Sequence, residues 1–151
     1  MFVAALSAAS GACSPGVSLA TGLQVDSAST GWLDVSSGGH DKVVPALSLK
    51  LKNVSNQRLR VLLVNAHFHS ADDVEEWGTG FLTAAGSEGL APGATTGTIV
   101  LKGEYGYTGA GVQRMIDKFV ETKVDLFVKY GAERWTPVGE YTVPRQLMSA
   151  R

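Results

Sequence analysis

Apolar and polar residues alternate through two neighbouring stretches of the chain, and that two-residue period predicts strands with one dry face and one wet face. Leu47, Leu49 and Leu51 alternate with Ser48, Lys50 and Lys52. Beyond the polar break Asn53-Val54-Ser55-Asn56-Gln57, Leu62, Val64, Ala66 and Phe68 alternate with Leu63, Asn65, His67 and His69. Read locally, the two runs form a β-hairpin. Pro45 near the start of the first run requires a strand beginning or an edge, because proline has no N–H for a ladder.

The same patterning predicts further strands on both sides. Leu23 to Ser27 alternates weakly and reads as an edge strand; Trp32 follows, large enough to cover one end of a core. Ser36 to Asp41 carries paired glycines and reads as a loop. Trp77 to Leu82 predicts a short strand packed through Trp77 and Phe81, and Thr98 to Leu101 a β-branched one. Val112, Met115, Ile116 and Phe119 fall at i, i+3, i+4 and i+7, the stripe of one short helix, with Thr108 as its cap. Strand character resumes over 123–130, with Val124, Leu126, Val128 and Tyr130 on one face, and again from Trp135 to Val143. About seven short strands between glycine turns predict an all-β fold: an immunoglobulin-like antiparallel β-sandwich with the helix across one end.

Composition narrows what such a domain can do. A chain of 151 residues is one domain, and a formal charge of -1 supplies no field for nucleic acid. The single cysteine, Cys13, excludes an intramolecular disulfide framework. Residues 1–12 begin with the apolar run Met1 to Leu6 and end in small residues, with Ser10 and Ala12 obeying the small-x-small rule for cleavage before Cys13. The expected organisation is an export signal over 1–12, a flexible tether over 13–22, the sandwich over 23–147 and a tail over 148–151. Localisation is then the periplasm or cell envelope.

Residues 10–13 also resemble a bacterial lipobox, which implies a lipid on Cys13 and membrane attachment. Leu49 to Asn56, with Leu90-Ala91-Pro92-Gly93 downstream, resembles small bacterial extracytoplasmic immunoglobulin-like domains, including the FxLYD type, although the FxLYD signature itself does not occur. Gly31-Trp32, Glu76-Trp77-Gly78, Gly106-Tyr107-Thr108-Gly109 and Arg145-Gln146-Leu147 are similar to exported bacterial lipoprotein-like proteins. These resemblances imply a module that binds or assembles with another protein or a membrane complex and does not catalyse.

The chemistry-bearing residues fit that expectation. His67 and His69 stand at i and i+2 and so share a strand face; with Asp72 and Asp73 close by they can complete a zinc or copper site, or remain a solvated or interface pair. Asp72, Asp73, Glu75 and Glu76 lack the spacing of a calcium loop and read as solvated rather than as paired hydrolytic acids. No Gly-x-Ser-x-Gly or phosphate-binding loop occurs, so neither an enzyme nor a cofactor is expected. Tyr105, Tyr107 and Phe127 are the candidate partner-binding residues, as aromatic groups in a loop and on an otherwise charged strand face. Intact mass of the protein from its native cell is expected to lack residues 1–12; a mass that includes them ends the export reading.

Overall fold

A computed structural model of the chain describes residues 16–149. The expected export signal and Cys13 lie outside the described residues. Two antiparallel sheets pack face to face. The first joins β1 (Leu23–Asp34), β2 (Asp41–Asn53) and β5 (Ile99–Lys102) in the order β1-β2-β5, with β6 (Tyr107–Gly109) also paired to β2. The second has the order β4-β3-β7-β8, from β3 (Leu62–Ser70), β4 (Glu76–Ala85), β7 (Thr122–Tyr130) and β8 (Thr136–Val143). Two short helices, α1 (Leu19–Gly22) and α2 (Val112–Ile116), complete the body. The all-β sandwich of the sequence pattern is therefore present, with eight strands among the described residues instead of about seven.

The hairpin expected from β2 and β3 does not form, since the two strands lie in different sheets. Their apolar stripes meet across the sandwich instead of side by side: Leu47, Leu49 and Leu51 from one sheet, Leu62, Val64, Ala66 and Phe68 from the other, all at most 1% exposed. Asn53 makes the crossing possible. Fully buried at the end of β2, it donates through Nδ2 to the carbonyls of Gln57 and Leu90, and its Oδ1 accepts from the backbone and hydroxyl of Ser55. The chain thus turns out of one sheet with its amide groups satisfied. β2 pairs instead with β1 through Ser37 and His40, where Gly38 and Gly39 both take left-handed φ, +59° and +80°, as a two-residue hairpin turn requires.

Pro45 sits inside the central strand β2, contrary to the expectation of a strand start or an edge. One side of β2 is taken by β1, while β6 pairs only as far as Val43 and β5 only from Ala46. Pro45 falls in the gap between them, and its carbonyl still accepts from Gly103 N at 2.9 Å. A missing N–H costs nothing where no partner strand waits for it.

Trp32 covers one end of the core as expected, within 5.3 Å of Tyr107, 4.2 Å of Phe119 and 5.9 Å of Trp77 between ring centroids. α2 closes that end with Met115, and Phe119 just beyond it is 1% exposed. Thr108 is not its cap; it lies in β6 opposite Lys42, and Gly111 holds the N-cap position. A Cβ on Gly106 would collide with the Val43 carbonyl, so this loop can reach the aromatic cluster only through glycine.

Both expected boundaries of the body move outward. Within the predicted tether, Val17 and Leu19 are buried, and α1 packs against β1, β7 and β8. At the other end Met148 N donates to Trp32 O and Trp32 N to Gln146 O, each at 2.8 Å, so the first residue assigned to the tail pairs with β1 and shields part of its open edge. No helix among the described residues is long and apolar enough to cross a membrane.

Asn53→Ala should cost about 2 kcal/mol or more in chemical denaturation, because four backbone or hydroxyl groups lose a hydrogen bond to the buried amide. Trp32→Ala should cost about 3–5 kcal/mol. Trp32→Phe should cost clearly less, since the indole N–H is buried with no hydrogen-bond partner and nothing is lost with it.

Candidate functional site

Register decides which side chains share the outer face of the β4-β3-β7-β8 sheet. Residues directly opposite in antiparallel strands point to the same side, so each outward residue of β3 heads a row across the sheet. Asn65 is flanked by Phe81 on β4 and Phe127 on β7, and Phe127 in turn by Pro137 on β8. His67 is flanked by Thr79 and Asp125, with Glu140 beyond. His69 is flanked by Glu76 and Lys123, with Thr142 beyond. An aromatic corner and a histidine–carboxylate group therefore lie side by side on one face.

In the second group, the rings of His67 and His69 stack at 5.3 Å between centroids, as i and i+2 on one face allow. His67 Nε2 lies 3.1 Å from Glu76 Oε1. His69 Nε2 lies 3.0 Å from Asp125 Oδ2, and its Nδ1 faces both the Ser70 carbonyl at 2.9 Å and Asp73 Oδ1 at 2.6 Å. The 70–75 loop brings Asp73 there. Asp72 accepts from the Ser70 hydroxyl and Val74 N, Glu75 N donates to Ser70 Oγ, and Asp73 takes a left-handed φ of +57°, a conformation aspartate tolerates better than most residues. Those hydrogen bonds lower the Asp72 pKa and commit its carboxylate to the loop. Lys123 is drawn to Glu140 at 3.3 Å, leaving Asp125 to the histidines.

Of the residues expected to form a metal site, His67, His69 and Asp73 thus come together, whereas Asp72 serves the turn. The carboxylate that sequence reasoning missed is Asp125. One potential ligand atom each from His67, His69 and Asp125 lies within 4.8 Å of the others. The outward alternation of Lys123, Asp125, Phe127 and Lys129 was the available signal, but only the pairing of β7 with β3 puts Asp125 opposite His67.

Of the expected partner-binding residues, Phe127 faces outward on β7, while Tyr107 turns inward into the Trp32 cluster, its hydroxyl accepting from Val120 N at 3.0 Å. Tyr105 is exposed on the loop between β5 and β6. Phe81 is not a packing residue: it is 59% exposed and meets Trp135 edge-on at 6.2 Å, beneath the approach of Lys129 Nζ to the indole at 6.0 Å. The bulge at Phe68/His69 shifts the alternation of β4, so Trp77 points into the core and Phe81 away from it.

No family model matches the chain, and no curated protein matches it. Two solved structures are similar in shape. One is a Bordetella pertussis protein provisionally named ApaA, with a TM-score of 0.48 at 14% identity over 81% of this chain and 92% of that one. The other is the structural-genomics target SoR45, with a TM-score of 0.42 at 12% identity over 84% of this chain and 89% of that one.

Burial opposes the charged form of His69, but the Ser70 carbonyl, Asp125 and Asp73 outweigh it and raise the pKa above 6.5. Acceptors at both ring nitrogens favour the doubly protonated ring. A raised folded pKa gives stability that is fully present below the unfolded value and lost as pH rises through the folded one. In chelator-treated protein the denaturation midpoint should therefore fall as pH rises past 6.5 and through the raised folded-state pKa of His69. Asp125→Asn should flatten that fall, and an unchanged slope would mean the ion pair contributes nothing.

Proposed function

We infer that this chain is an exported, immunoglobulin-like β-sandwich that works by binding a partner protein, held at the membrane through Cys13 or released. Support for the immunoglobulin-like reading comes from strand order: without β6, the sheets β1-β2-β5 and β4-β3-β7-β8 follow the A-B-E and C′-C-F-G arrangement. Support for export comes from the small-x-small sequence before Cys13. The reading as a binder rather than an enzyme rests on the absence of a nucleophile motif in the sequence and on the use of the acidic residues as hydrogen-bonding and ion-pairing groups on a sheet face.

The observation that carries the reading is the aromatic corner of the outer face. Phe81 and Trp135 are exposed and Phe127 beside them is half-buried on the same outer face, and a large exposed aromatic group next to charged residues is typical of the anchoring centre of a protein interface. One row away stand Asp125 and Glu140, with Glu76 beyond. The complementary partner carries an apolar anchor flanked by lysine or arginine.

The test is co-purification of the full chain from native membranes, beside the double variant Phe81→Ser, Trp135→Ser. A stoichiometric partner should accompany the wild type and fall at least about tenfold with the variant, a loss typical of interface anchors. Thermal unfolding of the variant should stay within about 1 kcal/mol of the wild type, because both side chains face solvent. Equal recovery by the two proteins, or no stoichiometric partner, overturns the reading.

A further inference from the structure

We propose that His67, His69 and Asp125 form a binding site for a late first-row divalent transition ion, Zn²⁺ or Cu²⁺. The proposal requires neither export nor a protein partner, and it concerns the rows beside the aromatic corner. Three strand positions create it. His67 and His69 share a face of β3 by the period of the strand, and Asp125 stands directly across from His67 on β7 while reaching His69 on the diagonal. Such neighbours on adjacent strands are close enough for their side chains to meet at one point.

The distances suit the chemistry. In a tetrahedral site with metal–nitrogen and metal–oxygen bonds of roughly 2.0–2.2 Å, two ligand atoms stand about 3.4 Å apart. His69 Nε2 and Asp125 Oδ2, at 3.0 Å, are already near that spacing. The full set lies within 4.8 Å, and His67, whose side chain is 34% exposed, is the more accessible of the two histidines. A bound ion would take the place of the proton between His69 and Asp125.

The surroundings match as well. Metal-binding histidines usually have their second nitrogen held by a carboxylate or carbonyl, which fixes the ring. His69 Nδ1 is held by Ser70 O and Asp73, and His67 Nε2 by Glu76. Lys123, the nearby cation on the same row as His69, is engaged by Glu140. Two imidazoles with one carboxylate favour zinc or copper over calcium or magnesium, which take oxygen ligands. Three protein donors on a sheet face leave a coordination position for water or for a donor from another molecule.

Isothermal titration of the full-length, chelator-stripped protein with Zn²⁺ and with Cu²⁺ tests the site. Saturation at one ion per chain is expected, with binding at least about tenfold weaker in each of His67→Ala, His69→Ala and Asp125→Asn, and weaker to a smaller degree in Glu76→Gln. His40→Ala, at a histidine outside the cluster, should bind as the wild type does. With Cu²⁺, electron paramagnetic resonance should show two nitrogen donors, reduced to one in either histidine variant. Asp125→Asn keeps the side chain's size, and thermal unfolding without metal establishes that each variant is folded. Wild-type affinity in the three ligand variants, or no saturation below about 1 mM, overturns the proposal.

Discussion

The structure depends on the placement of β2 and β3 in opposite sheets. Each strand has one apolar stripe, and a stripe is stabilised only when something apolar covers it. Facing each other across the sandwich, Leu47, Leu49 and Leu51 cover Leu62, Val64, Ala66 and Phe68, and each large side chain so buried contributes roughly 1.5–3 kcal/mol relative to exposure. A hairpin would have put both stripes on the same surface and left them waiting for a third element. Asn53 lets the chain cross between layers without stranding polar groups, and that single buried amide ties together the end of β2, the turn at Gln57 and the Leu90 loop.

The remaining elements follow from that crossing. β1 covers one edge of β2, and β5 and β6 divide the other between them, which is why Pro45 can occupy a central strand. The end of the sandwich that β6 and α2 close is filled by Trp32, Trp77, Tyr107 and Phe119, rings of sufficient area to replace a longer helix. Close approach has a steric condition, met by glycine at Gly106 against the Val43 carbonyl and at Gly103 against the Trp77 carbonyl. Aromatic packing and glycine placement are thus two sides of one arrangement.

On the outer face of the second sheet, register converts separate residues into groups. His67 acquires Asp125, His69 acquires Asp73 from a loop held by Asp72, and Asn65 acquires Phe81 and Phe127 on either side. None of these groupings arises within one strand. They depend on the alignment of three strands and on a bulge in one of them, because a shift of one residue would turn each side chain to the opposite face.

The sequence by itself determined the local facts: strand periods over 47–51, 62–69 and 123–130, the short apolar stripe of α2, the turn at Gly38-Gly39, and Trp32 as an end cover. It also determined that His67 and His69 share a face, since i and i+2 do so in any strand. Tertiary structure decided which strands are neighbours, and with that the separation of β2 from β3, the inward turn of Tyr107, the exposure of Phe81 and the choice of Asp125 over Asp72. The physical reason is that periodicity fixes how a strand presents its two faces, whereas pairing depends on which surfaces bury each other best, and Asp125 is 56 residues from His69 along the chain.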